Sequence, residues 1–174
     1  LIKNINKDIN VTIIRLPKIK FDKKTKKRFL SLNTNNQPNR FKTKNFQWFK
    51  LNLFHTRLKE WNKIFYLDIN LTIHKNLNDL LNISVRDSFL AKADGYPEYD
   101  RLLISQFDIT QPEIKQMERT FNLNANNYFQ TGLMYFDTSI IYKDMINDIL
   151  EIAKEFPISI TNEQGILNLY FQNR

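Results

Sequence analysis

The sequence predicts an α/β protein, a sheet covered on both faces by helices. Three observations lead there. Short runs rich in β-branched and aromatic residues alternate with amphipathic segments along the chain. Apolar residues make up 42% and aromatics 13%, enough for a real core and too much for global disorder. No internal repeat divides the 174 residues, so residues 1–174 fit a single domain.

Ile9 to Leu16 is β-branched and stops at Pro17, which predicts a buried strand. Residues 17–44 combine the run Lys23 to Arg28 with an Asn- and Pro-containing stretch from Asn35 to Asn39. They lack sustained periodicity and predict a basic mobile loop. Phe46, Phe49, Leu51, Leu53, Phe54, Leu58 and Trp61 recur at roughly helical spacing and predict a helix over 45–61. Lys63 to Asp68 reads as a strand ending abruptly at a carboxylate, and 76–81 as a short helix. Ser88 to Ala93 reads as another strand. Leu102 to Ile104 predicts a short strand, Pro112 to Arg119 a helix, and Gly132 to Phe136 a strand. Ile140 to Phe156 is the clearest amphipathic helix, and Thr161 with Gln164 fits a capping box for a last helix to Phe171.

The chain has no cysteine, which excludes disulfides, Cys-based zinc sites and thiol catalysis. That is compatible with the cytoplasm and leaves the compartment open. No apolar run approaches the length of a membrane span, and no signal peptide opens the chain. It begins at Leu1 rather than Met, which predicts that a segment precedes it in the full protein. The net charge of +8 hides an asymmetry. Residues 1–63 carry 17 Lys/Arg against 3 Asp/Glu, whereas 64–174 carry 9 against 15. The basic half suits an anionic partner or a solvated lysine-rich loop equally well.

The sharpest chemical feature is Phe65-Tyr66-Leu67-Asp68-Ile69-Asn70. Residues i and i+2 leave a strand on the same side, so Asp68 and Asn70 can present two oxygens at a strand end. Such oxygens suit Mg²⁺ or Mn²⁺, which in turn bridges a diphosphate. In open α/β sheets that edge is where ligands bind. Only three glycines occur, Gly95, Gly132 and Gly165, and a strand glycine allows a ligand to approach the backbone. His55 and His74 lack metal-ligand spacing and read as packing or surface residues.

Trp61 to Asn70, followed by Asn76-Leu77-Asn78-Asp79-Leu80-Leu81, resembles the pattern of glycogenin-like glycosyltransferases of family 8. There an apolar strand leads to Leu-Asp-x-Asp and then an Asn-Leu turn. Four further segments resemble the family in the same order: Trp48-Phe49-Lys50-Leu51, Ala91-Lys92-Ala93-Asp94, Phe129-Gln130-Thr131-Gly132-Leu133-Met134 and Glu163-Gln164-Gly165-Ile166-Leu167-Asn168. Together they cover about residues 46–171. Three departures stand out. Asn70 replaces the second Asp of the D-x-D motif. The family's first strand is not seen before Leu1. Its His-x-x-Gly-x-x-Lys-Pro-Trp motif is absent before Arg174.

The resemblance implies a GT-A-like, Rossmann-like fold with a mixed, mostly parallel sheet. It implies a retaining transfer from a nucleotide-sugar donor, a uridine diphosphate sugar, to an acceptor it does not name. Lys50, Asp68 and Asn70 would meet the nucleotide phosphates, and Asp68 and Asn70 the Mn²⁺ or Mg²⁺. Asp94, Gln130 and Gly132 would meet the sugar. Glu163 and Gln164 would form the catalytic pair, Glu163 holding a sugar hydroxyl and Gln164 lying near the anomeric carbon. Two other readings stand beside this one. A non-catalytic relative would bind a nucleotide sugar or serve assembly. A basic nucleic-acid module would use residues 17–50, with Phe41, Phe46, Trp48 and Phe49 interleaved with lysines as a stacking surface, and it ranks last because no recognised motif supports it.

Overall fold

The computed structural model describes residues 13–32, 40–95 and 99–172. Of the first expected strand, residues 9–12 lie outside the described residues, and 13–16 form no strand, with Ile13 exposed. The segment read as a loop contains two helices, α1 (Lys23–Ser31) and α2 (Arg40–Lys44). Asp22 starts α1. Its carboxylate accepts the Thr25 backbone N–H at 2.9 Å and the Thr25 hydroxyl at 2.7 Å, satisfying donors that the helix start leaves free. Thr25 and Phe29, one turn apart, are the buried residues of α1, and lysines take the faces toward water. Phe29 stacks on Phe41 at 5.1 Å beside Trp48. Phe41 and Trp48 are thus core residues, closed to base stacking.

The expected helix over 45–61 is two 3₁₀ runs, Asn45–Phe54 and Thr56–Glu60. A 3₁₀ helix has three residues per turn, so it has three faces, each repeating every third position. One face, Trp48, Leu51 and Phe54, is buried in the core. The second holds Phe46, Phe49 and Asn52, and the third Gln47, Lys50 and Leu53. Reading the same residues at 3.6 per turn merges faces that the chain keeps apart.

Among the described residues, the sheet has three strands, β1 (Lys63–Leu67), β2 (Phe89–Ala93) and β3 (Phe129–Asp137), in the order β1-β3-β2. β3 lies between the others and is antiparallel to both. The described sheet is therefore antiparallel, not mostly parallel as expected. β1 and β2 still run in the same direction, and both end at the edge where β3 begins. The β2–β3 register jumps from Ala91 opposite Met134 to Ala93 opposite Phe129, so Gln130 to Leu133 bow out of that ladder. Such bulges gather beside active sites, where they redirect backbone groups.

Short α3 (Asn78–Leu81) follows β1, and α4 (Ile114–Thr120) precedes β3. The strand expected at 102–104 is a 3₁₀ turn, Leu103–Gln106. The amphipathic helix is α5 (Met145–Glu155), shorter than expected, with Met145, Ile149 and Ala153 buried along one stripe. The last helix is α6 (Glu163–Gln172). The expected capping box does not form: the Thr161 hydroxyl accepts the N–H of Gly165, four residues on, at 3.2 Å, and the Gln164 side chain turns away to other partners.

Gly165 serves close packing rather than ligand approach. A Cβ there would lie 2.7 Å from Ser159 Oγ and 3.1 Å from Phe107. The serine cannot simply rotate away, because its hydroxyl is buried and donates to the Asn162 carbonyl at 2.7 Å. Gly165→Ala is therefore expected to destabilise the protein by about 2 kcal/mol, read from denaturant unfolding. An unchanged unfolding midpoint would show that this contact relaxes freely.

Candidate active site

The edge that collects the C-terminal ends of β1 and β2 and the first residues of β3 carries the candidate site. Asp68 follows β1, and its backbone N–H donates to the Gly132 carbonyl at 2.8 Å. Asp94 follows β2, with its N–H on the Tyr128 carbonyl at 3.0 Å. Glu163 and Gln164 enter from the first turn of α6. Lys50 enters from the third face of the 3₁₀ helix, where neighbouring Gln47 accepts from Asn162 at 2.7 Å and ties that face to the chain before α6. Asn162 has φ of 57°, a left-handed conformation that asparagine tolerates better than most residues.

Lys50 is the hub. Its ammonium lies 3.0 Å from Asp68 Oδ1 and 3.3 Å from Glu163 Oε1. It also donates to the Thr131 hydroxyl at 3.2 Å and the Thr131 carbonyl at 3.3 Å. That hydroxyl in turn donates to Glu163 Oε1 at 2.8 Å. The Lys50 side chain is 9% exposed and that of Glu163 1%, so the pair is screened little by solvent. Glu163 Oε2 is buried with no hydrogen-bond partner. Burial pushes the Glu163 carboxyl above its usual range, and the Lys50 ammonium only partly offsets this.

Asp68 takes a further donor, the Tyr66 hydroxyl, at 2.6 Å on Oδ1. Burial, and then this hydrogen bond to a carboxylate, raise the tyrosine well above its ordinary value. Gln164 forms the second half of the network. Its Oε1 accepts the Thr131 N–H at 3.3 Å, a group that the bulge in β3 sets free. Its Nε2 donates to Gln106 Oε1 at 2.9 Å and to Asp94 Oδ2 at 3.4 Å. The buried Tyr128 hydroxyl sits near Asp94 and Ser105 without good hydrogen-bonding geometry to either.

The structure therefore joins Lys50, Asp68, Asp94, Glu163 and Gln164 through one set of contacts. A Cβ on Gly132 would sit 3.4 Å from Gln130 Oε1 and 3.6 Å from Asp68 Oδ2, which places both of those side chains at the same edge. Asn70 reaches the site differently from the strand-alternation argument. β1 stops at Leu67, and a turn with Leu71 N–H on the Asp68 carbonyl at 3.0 Å carries Asn70 around. Lys50, Asp68 and Asn70 line one open cleft of about 760 Å³. Sequence reading missed Tyr66, Gln106, Tyr128 and Thr131. Tyr66 was within reach of the i, i+2 rule applied backward from Asp68. The other three carry no local signal.

Among the described residues, no three His, Asp or Glu side chains converge on a metal-ion site. The donor chemistry in the cleft beside Lys50 is one carboxylate, Asp68, already shared with Tyr66 and Lys50, plus the neutral amide of Asn70. This set fits a hard cation whose remaining ligands come from phosphates and water, as Mg²⁺ commonly prefers, and not one held by protein alone.

The chain matches the family model described as glycosyl transferase family 8 over residues 2–174. It belongs to that family. The match extends upstream of residues 46–171, so the basic first quarter lies within it. No curated protein and no solved structure matches the chain. No described helix of this family 8 chain is long and apolar enough to cross a membrane.

The state of Glu163 has a measurable consequence. A carboxyl raised in the folded protein holds its proton more tightly there than in the unfolded chain. Stability should therefore fall as pH rises from the ordinary Glu value through the raised one. Glu163→Gln, which cannot ionise, should lose this slope. Parallel slopes for the two proteins in pH-dependent unfolding would contradict it.

Proposed function

We propose that the chain transfers a sugar from a nucleotide-sugar donor, a uridine diphosphate sugar, to an acceptor, with retention at the anomeric carbon. One observation carries this reading: in a family 8 chain, Lys50 bridges Asp68 and Glu163 at the sheet edge, beside a cleft large enough for a nucleotide. The placement of Asp68 and Asp94 after strands that run the same way supports a GT-A-like arrangement of that edge.

Each residue then has a task that its chemistry suits. A divalent cation held by Asp68 and Asn70 together with the donor phosphates would neutralise charge on the departing diphosphate. Lys50 supplies a second positive charge that can exchange Asp68 for a phosphate oxygen. Glu163 Oε2, buried and unpartnered, lacks a donor that a sugar hydroxyl would provide. Asp94 and Gln130 hold further hydroxyls. Gln164 fixes the Asp94 carboxylate and the Thr131 backbone, and it keeps the sugar positioned rather than accepting a proton itself.

A second reading, binding without transfer, draws support from Asn70, which removes a charge from the metal site, and from Lys50, which two carboxylates already neutralise. Thermal shifts with a panel of nucleotide sugars and Mn²⁺, run beside an assay for released nucleoside diphosphate, separate the two. Shift with release supports the transferase, and shift without release the binder. No shift with any nucleotide sugar would overturn both.

A further inference from the structure

We propose that Phe46 and Phe49 form a stacking platform for the base of a nucleoside diphosphate whose phosphates lie toward Lys50, an inference that rests on the nucleotide-sugar reading above. The periodicity of the 3₁₀ helix isolates these two rings. Three residues per turn place positions i and i+3 directly above one another, so Phe46 and Phe49 share one face. They are 58% and 46% exposed, whereas Trp48, Leu51 and Phe54 on the adjoining face are at most 1% exposed. The helix meets its core requirement with one face and leaves both phenyl rings partly exposed on another. Both line the cleft that holds Lys50, Asp68 and Asn70, and Lys44 stands on its rim.

The chemistry of this wall selects its occupant. A phenyl face binds a flat, weakly hydrated ring, and an ammonium one residue away binds an anion. A free sugar lacks the anion, and an apolar peptide has no use for the lysines. A nucleoside diphosphate carries both a planar ring and phosphates. Stacking tolerates any base, because every base has a π-face. The platform therefore supplies affinity, and selection among bases must come from elsewhere.

Calorimetry with uridine diphosphate, adenosine diphosphate and pyrophosphate, in one Mg²⁺-containing buffer, tests this. Wild type should bind both nucleotides more tightly than pyrophosphate. Phe46→Ala/Phe49→Ala should weaken both nucleotides at least tenfold and leave pyrophosphate unchanged. Both positions are exposed, so the variant should melt within a few degrees of wild type. Phe46→Trp should keep wild-type affinity and show indole quenching when nucleotide binds. Equal nucleotide affinity in wild type and the double alanine variant, or no quenching in the tryptophan variant, would overturn the platform and leave the transferase reading standing. Failure of wild type to bind either nucleotide would overturn both.

Discussion

Lys50→Met is expected to destabilise the protein by about 3 kcal/mol and to abolish nucleotide-sugar binding. The stability loss follows from burial: without the ammonium, Glu163 keeps a carboxylate that is 1% exposed, with only the Thr131 hydroxyl beside it. For a chain of this size that corresponds to a melting temperature lower by roughly 6–10 °C. Glu163→Gln in the same chain removes the stranded charge, so Lys50→Met/Glu163→Gln should recover most of the stability, a coupling expected of groups in contact. It should not recover binding, since neither substitution restores a cation for the diphosphate. Calorimetric unfolding and ligand titration of all three variants separate the structural role of the lysine from its functional one. Full stability in Lys50→Met would mean that the ion pair contributes nothing, and recovered binding in the double variant would mean that the cation is dispensable.

Asp68→Ala is expected to leave the fold largely intact and to cut turnover about 100-fold, the scale on which one electrostatic contact to a developing charge is felt. Its side chain is 30% exposed, so the structural loss is modest and confined to the hydrogen bonds from Tyr66 and Lys50. The same change should remove any gain in nucleotide affinity on adding Mn²⁺. Asn70→Asp should increase that gain, because a second carboxylate strengthens the pull on a hard cation. Gln130→Ala should lower turnover far less than Asp68→Ala. Equal nucleotide affinity with and without Mn²⁺ in wild type and both metal-site variants would remove the metal from the mechanism.

Much of the candidate site's grouping was legible because its residues sit at punctuation marks in the chain. Asp68 ends an apolar run, and Glu163 and Gln164 open a helix. Asp94 also ends a strand, and Gly132 stands out in a glycine-poor chain. Strand direction was not legible, because alternating strands and helices suggest crossovers whichever way a strand inserts. Here β3 enters the middle of the sheet in the opposite sense to its neighbours. Helix α1 was hidden by its lysines, which dominate the composition and mask the Thr25 and Phe29 pair. Asp22, three residues before Thr25, was the readable sign of its start. Thr131 could not be foreseen. Its backbone matters only because the ladder with β2 fails there, and a register jump leaves no mark in one strand's sequence.

The 3₁₀ geometry of residues 45–54 also governs how this stretch can change in length. Each residue turns the chain by about 120°, so one inserted or deleted residue before Lys50 would advance every later side chain by one face. An insertion would point Phe49 at Asp68 and Glu163 and drive the lysine toward the core, whereas a deletion would put Leu51 there and turn the lysine out to solvent. Three residues gained or lost amount to a full turn and keep each face in step. Viable length variants of this helix should therefore differ by multiples of three.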